Sequence, residues 1–269
     1  MLRVLTLNHW YTAGDWRARR VEICAWIKHL EPDVVCLQEV LESPDGDNTA
    51  RWIADNAAGD WHVAFTGRDV FEGAAIFGNA ILSRWPIDAT NDRDLTSNPP
   101  GRLDEVQRCA LHARTNGYDI YCTHLVWRYE EGFIREKEVV ELDDFVKETA
   151  SPDSPIPPVI CGDFNAEPDS TEIRYLTGGH AIDGRSTYYQ DAWRVAPGRG
   201  DGFTWDNRNI HAVVEREPDR RIDYIFSGWD PARPKGAGRI AFAAVVCDRA
   251  LTGAFASDHF GLFAEIETP

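Results

Sequence analysis

The stretch that decides the fold is Val159-Ile160-Cys161-Gly162-Asp163-Phe164-Asn165. Its first three residues are apolar, which indicates a buried strand, and the polar residues Asp163 and Asn165 follow almost directly. Asp and Asn are also common in turns, so a simple turn is the alternative interpretation. The position directly after an apolar strand favours a functional site, because a strand end holds a side chain more rigidly than a loop tip does.

The same arrangement, an apolar strand followed by a polar residue, recurs along the chain. The other instances are Leu5-Thr6-Leu7 before Asn8, Val34-Val35-Cys36-Leu37 before Gln38-Glu39, Tyr121-Cys122-Thr123 before His124, Arg221-Ile222 before Asp223, and Ser257-Asp258-His259 before the last apolar run. One polar strand end would carry no information. The recurrence predicts that the strand ends converge on one shared cleft.

Segments of strand type and helix type alternate along the whole chain. Apolar or alternating runs predict strands at 2–8, 33–40, 61–66, 74–82, 106–113, 117–124, 159–161, 222–226 and 261–266, with a weaker pattern at 240–247. Helical periodicity predicts helices at 16–30, 49–58 and 132–149, and Asn116-Gly117 predicts a tight hairpin. The Gly- and Pro-rich segments 178–189, 197–220 and 228–239 are predicted loops. We therefore expect one α/β domain over residues 1–269, built as a layered sandwich.

The composition, 43% hydrophobic and 27% charged, is that of an ordinary globular protein. No apolar run reaches the roughly 18 residues that a transmembrane helix needs, and the first residues alternate like a strand rather than a signal peptide. None of the six cysteines forms a Cys-x-x-Cys unit, which indicates reduced, buried thiols. We therefore expect a cytoplasmic protein with no transmembrane segment.

The net charge bears on the class of substrate. It is −16, and only 4 of the 28 basic residues are lysines. Nucleic-acid binding depends on cationic groups that neutralise phosphates, so this balance disfavours a nucleic-acid substrate unless arginines cluster locally. The acidity suits a site that gathers carboxylates around a divalent cation.

The polar strand ends resemble, in order and spacing, the motifs of the endonuclease/exonuclease/phosphatase superfamily. That superfamily of deoxyribonuclease-I-like metal-dependent phosphoesterases includes pancreatic-type deoxyribonucleases, apurinic-site endonucleases, neutral sphingomyelinases and inositol polyphosphate phosphatases. The matching segments are Asn8, Leu37-Gln38-Glu39-Val40, Thr123-His124-Leu125, Gly162-Asp163-Phe164-Asn165, Arg221-Ile222-Asp223-Tyr224 and Ser257-Asp258-His259. The resemblance implies a four-layer α-β-β-α sandwich of two mixed sheets flanked by helices, and a metal-dependent phosphoric ester hydrolase.

The resemblance also implies a Mg²⁺ or Mn²⁺ cofactor. Glu39 would be its main ligand, with Asn8 beside it and Asp258 as a further metal contact. Oxygen ligands of this kind favour Mg²⁺, Mn²⁺ or Ca²⁺ over zinc. Taken alone, Asn8 could cap a turn, Glu39 could be a solvated charge, and Asp258 could cap a helix.

The catalytic residues implied by the resemblance lie on the remaining strand ends. Asp163 would orient and deprotonate the attacking water, and Asn165 would hold Asp163 and donate to the phosphate. Asp223 would fix the tautomer of His259 and favour its protonated form, and His124 would donate to a non-bridging oxygen. Such groups are needed because negative charge builds on the phosphate oxygens during hydrolysis.

The substrate-binding residues are predicted from position alone. Trp10 follows the first strand, and Trp127 follows the strand that ends in His124, so both would lie at the rim of the cleft. There they could stack on a substrate or pack under loops. Arg108 lies opposite His124 in the predicted hairpin and could contact a phosphate or be an ordinary surface residue. Glu72 is a candidate to orient His124.

Three functions remain open at this stage. The first is a phosphodiesterase or phosphatase of a small-molecule or headgroup phosphoester, favoured by the charge. The second is a DNA or RNA nuclease, which would need a basic stripe beside the cleft; the candidates are Arg17, Arg19, Arg20, Arg216, Arg220 and Arg221. The third is a non-catalytic binding module, which the intact set of motif residues disfavours.

Overall fold

The structure is a computed structural model that describes residues 1–70, 73–95, 106–196, 200–230 and 236–269. Its strands are β1 (Leu2–Asn8), β2 (Val34–Glu42), β3 (His62–Val70), β4 (Ala75–Ser83), β5 (Ile87–Leu95), β6 (Arg108–Thr115), β7 (Tyr118–His124), β8 (Val159–Asp163), β9 (Tyr189–Asp191), β10 (Asp223–Gly228), β11 (Ile240–Val246) and β12 (Gly261–Ile266). Its α-helices are α1 (Trp16–Leu30), α2 (Thr49–Asn56), α3 (Gly132–Thr149), α4 (Thr171–Leu176) and α5 (Ala192–Val195).

The strands form two sheets of six strands each, in the orders β11-β12-β1-β2-β4-β3 and β5-β6-β7-β8-β10-β9. One inner pair of each sheet is parallel, β1 with β2 and β7 with β8, and the other pairs are antiparallel. Both sheets are therefore mixed. The parallel pairs matter for function, because the carboxyl ends of their strands meet at one edge of the sheet.

The side-chain alternation of the strands builds the layers. In β2, Val34 and Cys36 belong to the apolar cluster shared by the two sheets, whereas Val35 and Leu37 point to the opposite face and pack with α1 and α2. A strand buried on both faces has this continuous apolar character. On the far side, Phe145 of α3 packs against the outer face of the second sheet, together with α4. The order helix–sheet–sheet–helix confirms the predicted four-layer sandwich.

Most of the predicted elements are confirmed with small shifts of their ends. The hairpin turn is confirmed as well, since Asn116 and Gly117 have φ angles of 48° and 79° and join β6 to β7. Both residues thus adopt the left-handed conformation that the favoured two-residue hairpin turns require.

Among the strands and α-helices of the described residues, four were not predicted: β5, α4, β9 and α5. The strand β5 (Ile87-Asp88-Ala89-Thr90-Asn91-Asp92-Arg93-Asp94-Leu95) lies at a sheet edge with most of its side chains exposed, so it lacks an apolar pattern. The other three are six residues long or shorter, which leaves too few positions for a period to show. Segments 178–189, 197–220 and 228–239 are largely loops where described; 197–199 and 231–235 lie outside the described residues.

Within the described part of the chain, none of the helices combines the length and the apolar character that crossing a bilayer would require.

Candidate active site

The predicted site residues meet at one edge of the two sheets. In the first sheet, the register pairs Asn8 at the end of β1 with Gln38 of β2. In the second sheet, His124 at the end of β7 pairs with Asp163 at the end of β8. The side chain of Asn8 spans the gap between the sheets, because its Nδ2 donates to Oδ2 of Asp163 over 3.0 Å. The expectation that separate strand ends share one cleft is thus what the structure shows.

Glu39 is directed into this cleft by a bulge in β2. The register between β2 and β4 shifts between Leu37 and Val40, and Glu39 adopts a φ of 61°. A left-handed conformation is uncommon for a residue other than glycine, and bulges of this kind re-aim a side chain beside functional sites. Glu39 faces the cavity, where Nδ2 of Asn8 donates to its Oε1 over 3.1 Å.

Asp163 is the centre of the hydrogen-bonded cluster and is 1% exposed. Its Oδ2 lies 3.4 Å from Nε2 of His124 and 3.7 Å from Nε2 of His259, and its Oδ1 accepts the backbone N–H of Asn165 over 2.9 Å. Burial alone would raise the pKa of Asp163, but His124 and His259, with the bond from Asn8, outweigh it and lower that pKa. Asp163 is therefore ionised at neutral pH.

Asp223 and His259 form a buried pair beside Asp163. Oδ2 of Asp223 lies 2.9 Å from Nδ1 of His259. Burial opposes the charge on His259, but Asp223 and then Asp163 outweigh it and raise the pKa of His259 to about 10. Burial raises the pKa of Asp223 to about 6, against the opposing effect of His259. Near neutral pH the pair is therefore a carboxylate and an imidazolium whose Nε2 points at Asp163.

His124 and Asn165 contact each other as well as Asp163. Nδ2 of Asn165 lies 3.1 Å from Nε2 of His124 and donates to the carbonyl of Leu125 over 3.1 Å. Asn165 has a φ of 49°, a second non-glycine residue of the site in the left-handed region. Glu72, the predicted partner of His124, lies outside the described residues.

Glu39 and Asp258 supply the donors that suit a metal ion. Burial, and then the charge of Asp258, raise the pKa of Glu39 to about 7, and burial likewise raises the pKa of Asp258. A cation would offset the cost of burying both carboxylates and the repulsion that Glu39 feels from Asp258, and the carboxylate oxygens suit Mg²⁺ or Mn²⁺. The residues present therefore fit the predicted metal.

The position of Asn8 is compatible with a supporting role at such a site. Its Nδ2 donates to both Glu39 and Asp163, and its Oδ1 accepts the backbone N–H of Trp10 over 3.1 Å. Its direct ligation of a metal stays a prediction.

A different group, Asp163, Asp223 and His259, also has ligand-type atoms that lie within 4.8 Å of one another. Metal binding by this group would require His259 to be neutral, because an imidazolium has no free lone pair. With no metal bound, Asp223 and Asp163 outweigh burial and raise the pKa of His259 to about 10, which favours the imidazolium.

A segment that sequence reasoning treated only as a loop supports the His259 pair. The hydroxyl of Thr204 accepts the backbone N–H of Asp223 over 3.1 Å, and the ring of Trp205 stands edge-on to His259 with 5.0 Å between the centroids. Nδ2 of Asn209 donates to the carbonyls of Ser257 and Asp258 over 2.8 and 3.0 Å. These contacts join positions far apart in sequence, and no motif or period in the segment marks them.

The catalytic cluster opens into a cavity of about 760 Å³. The three predicted substrate-binding residues, Trp10, Trp127 and Arg108, all line it. Trp127 is 47% exposed, whereas Arg108 is buried. Lining residues that were not predicted include Phe77, Trp205, His211 and Glu217.

Several arginines considered for a nucleic-acid-binding stripe are buried. Arg19 is 1% exposed, and Arg220 and Arg221 are each 5% exposed. Arg221 pairs with Asp191 over 2.8 Å, and Arg220 pairs with Glu217 inside the cavity. Their charges are therefore largely committed to partners within the protein.

The comparison with known families agrees with the fold. The model of the endonuclease/exonuclease/phosphatase family matches residues 5–259, so the chain belongs to this family. Members of the family are generally divalent-metal-dependent hydrolases of phosphoesters.

Individual proteins also resemble the chain. The chain is 29% identical to the uncharacterized protein YbhP of Escherichia coli K12. The match covers 61% of the chain and 66% of YbhP, so the chain spans just under two thirds of that protein. It is 24% identical to Nocturnin of Drosophila melanogaster over 95% of its own length and 42% of that protein. The crystal structure of D. rerio TDP2 complexed with a single-strand DNA product has a TM-score of 0.73 at 20% identity, with 99% of each chain covered. That level of identity shows the shared fold only.

Proposed function

We propose that the protein is a divalent-metal-dependent hydrolase of phosphoesters, a phosphodiesterase or phosphatase, acting on a small or lipid-derived organic phosphate by attack of an activated water at phosphorus. The observation that carries the proposal is the cluster around Asp163. One ionised carboxylate lies between two histidines and an amide, at the floor of a cavity large enough for a small organic molecule.

Each residue of the cluster has a task in this chemistry. Asp163, ionised and held by Asn8 and Asn165, accepts a hydrogen bond from the attacking water and draws off its proton. The imidazolium of His259, kept protonated by Asp223, donates to a phosphate oxygen on which negative charge builds. His124 and Asn165 contact each other over 3.1 Å at the same site, and each would donate to the phosphate in place of that contact.

The metal would be held by Glu39 and Asp258, with Asn8 keeping Glu39 in place through its hydrogen bond. When bound, a divalent cation supplies positive charge that stabilises the developing charge on the phosphate oxygens. The predicted pairing of these oxygen ligands with Mg²⁺ or Mn²⁺ is part of the proposal.

The preference for a small substrate rests on charge and on the cavity lining. The net charge of −16 opposes the approach of a polyanion, and three of the arginines that could have offset it are buried. The cavity offers the aromatic rings of Trp10, Trp127 and Trp205, which suit an apolar or aromatic group. A small phosphodiester carries little charge and meets both conditions.

A nuclease is the second candidate, because D. rerio TDP2, which shares this fold, is complexed with a single-strand DNA product. Charge repulsion is screened beyond about 8–10 Å near physiological salt, so the net charge lowers affinity without forbidding DNA. The aromatic residues of the cavity could then stack on bases.

One assay separates the two candidates. Turnover of bis(4-nitrophenyl) phosphate, 4-nitrophenyl phosphate and supercoiled plasmid is measured in Mg²⁺ and in Mn²⁺, with His259→Ala as the inactive control. We expect hydrolysis of the small diester to exceed plasmid cleavage per enzyme. Plasmid nicking at enzyme levels that leave the small esters intact would support the nuclease, and loss of all turnover would support a binding module.

Replacing Trp127 by Ala tests the substrate side of the proposal. It should raise KM for the small diester by about three- to tenfold, because an aromatic contact of this kind contributes roughly 0.5–1.5 kcal/mol beyond its buried area. Because the ring lies outside the Asp163 cluster, kcat should change less than KM.

A further inference from the structure

Arg19, on α1, is a buried cation that sits behind one wall of the cavity. It is 1% exposed, and its guanidinium donates six hydrogen bonds to backbone carbonyls. Those carbonyls belong to His9, Trp10, Tyr11, Ala13 and Ala256, at distances of 2.7 to 3.0 Å. The planar guanidinium therefore joins the loop that follows β1 to the segment that precedes His259.

The loop that Arg19 holds has an unusual backbone. Trp10 and Tyr11 are consecutive residues with φ angles of 58° and 28°, and Gly14 has a φ of 58°. The left-handed region is unfavourable for side chains as large as Trp and Tyr, so such a turn persists only where its surroundings determine it. Here the turn directs its carbonyls inward, and one guanidinium satisfies them.

The same contacts fix the ring of Trp10. Cζ of Arg19 lies 4.9 Å from the centroid of that ring, and the ring of His211 lies 5.0 Å away. A Cβ atom at Gly14 would stand 3.0 Å from the Trp10 ring, so the ring packs closely against the loop backbone. Trp10 and Tyr11 both line the cavity.

We propose that Arg19 is a positioning residue, which holds the Trp10–Tyr11 turn in the conformation that presents both rings to the cavity. Arg19 thereby sets the affinity for the organic group of the substrate. The proposal rests on the proposed function in one respect, namely that the cavity binds a phosphoester. Arg19 does not touch the reacting atoms in this scheme. It acts through Trp10 and Tyr11.

Arg19→Lys is the main test, because lysine keeps a positive charge but cannot bind several carbonyls in one plane. With bis(4-nitrophenyl) phosphate at saturating metal, KM should rise about three- to tenfold, the range expected for a lost aromatic contact, while kcat stays within about threefold. Arg17→Lys, two residues away on the exposed side of the same helix, is the matched control and should leave both constants unchanged.

A double-mutant cycle shows whether Arg19 acts through Trp10. In a Trp10→Ala background the ring is gone, so Arg19→Lys should raise KM by less than about twofold, because coupled residues are not additive. Gly14→Ala is a second variant that leaves Arg19 intact. It should raise KM as Arg19→Lys does, because the new Cβ would press on the Trp10 ring.

Hydrogen exchange over residues 9–14 provides a readout that needs no substrate. Exchange there should be faster in Arg19→Lys than in the wild type, at temperatures where thermal melts show both proteins folded. Unchanged exchange, or an increase in KM that is the same with and without Trp10, would overturn the proposal. Failure of the proposed function would show instead as absence of phosphoester turnover in the wild type, with exchange still reporting on the turn.

Discussion

Replacing Asp223 by Asn should move the pH dependence of catalysis, because Asp223 keeps His259 protonated. The change is isosteric and removes the negative charge 2.9 Å from Nδ1 of His259. In the wild type Asp223 and Asp163 together raise the pKa of His259 to about 10, in spite of burial. Without Asp223, burial opposes only the more distant carboxylates, so the pKa of His259 must fall.

The size of the effect follows from that pKa. In the wild type, with a pKa of about 10, nearly all His259 is protonated at pH 8. If the pKa returns to the ordinary value of about 6.5, only roughly 3% is protonated at pH 8. A step that requires the imidazolium would then be about 30-fold slower at pH 8 than at a pH well below 6.5.

The measurement is kcat for bis(4-nitrophenyl) phosphate from pH 5.5 to 10 in saturating Mg²⁺. Activity should fall on the alkaline side in both proteins, but several pH units earlier in Asp223→Asn. Asp169→Asn, at an exposed carboxylate, is the matched control, and thermal melts check that each protein stays folded. An alkaline limb that coincides in Asp223→Asn and the wild type would refute the assignment of His259 as the protonated donor.

Three further predictions concern the catalytic base, the metal and stability. Asp163→Asn and His259→Ala should each lower kcat by about two orders of magnitude, and the double variant should be far less than multiplicatively worse; wild-type turnover in either single variant would contradict the mechanism. Chelator should abolish turnover, and the loss of turnover in Glu39→Gln should become smaller as the Mg²⁺ concentration is raised. Full activity of the metal-stripped enzyme in chelator would exclude the role of the metal. Asp143→Ala should lower the free energy of unfolding by about 3 to 5 kcal/mol in urea titrations. The reason is that the buried hydroxyls of Tyr175 and Tyr189, which lie 2.8 and 2.9 Å from the Asp143 carboxylate, lose their acceptor. A change below about 1 kcal/mol would count against that account.

The polar strand ends could be predicted because each follows a local apolar pattern. Val159 to Cys161 is apolar over consecutive residues, so the position of Asp163 follows from a few neighbours. The parallel pairing of β1 with β2 and of β7 with β8 then brings the strand ends together. The bulge that aims Glu39 at the cleft was not predicted, because it depends on the register with β4 and not on the sequence of β2 alone.

The supporting residues could not be predicted for a related reason. Thr204 and Asn209 act on Asp223 and on the Ser257–Asp258 backbone, and Arg19 reaches Ala256 from the other end of the chain. These contacts form only when the sheets are assembled, and nothing in the local sequence encodes them. The formal charge of an arginine likewise says nothing about its burial, so the candidates for a basic stripe included Arg19, which is buried in the structure.

The strand order of the first sheet has a consequence for the synthesis of the protein. The strand β1 lies between β12 and β2, so one of its two neighbours is synthesised long after β1 itself. Until β12 emerges, the backbone donors and acceptors along one side of β1 have no sheet partner, and a growing chain exposes an unpaired strand edge of the kind that promotes aggregation. His259 lies two residues before β12, so its contact with Asp163 likewise forms only after this late part of the chain has been made.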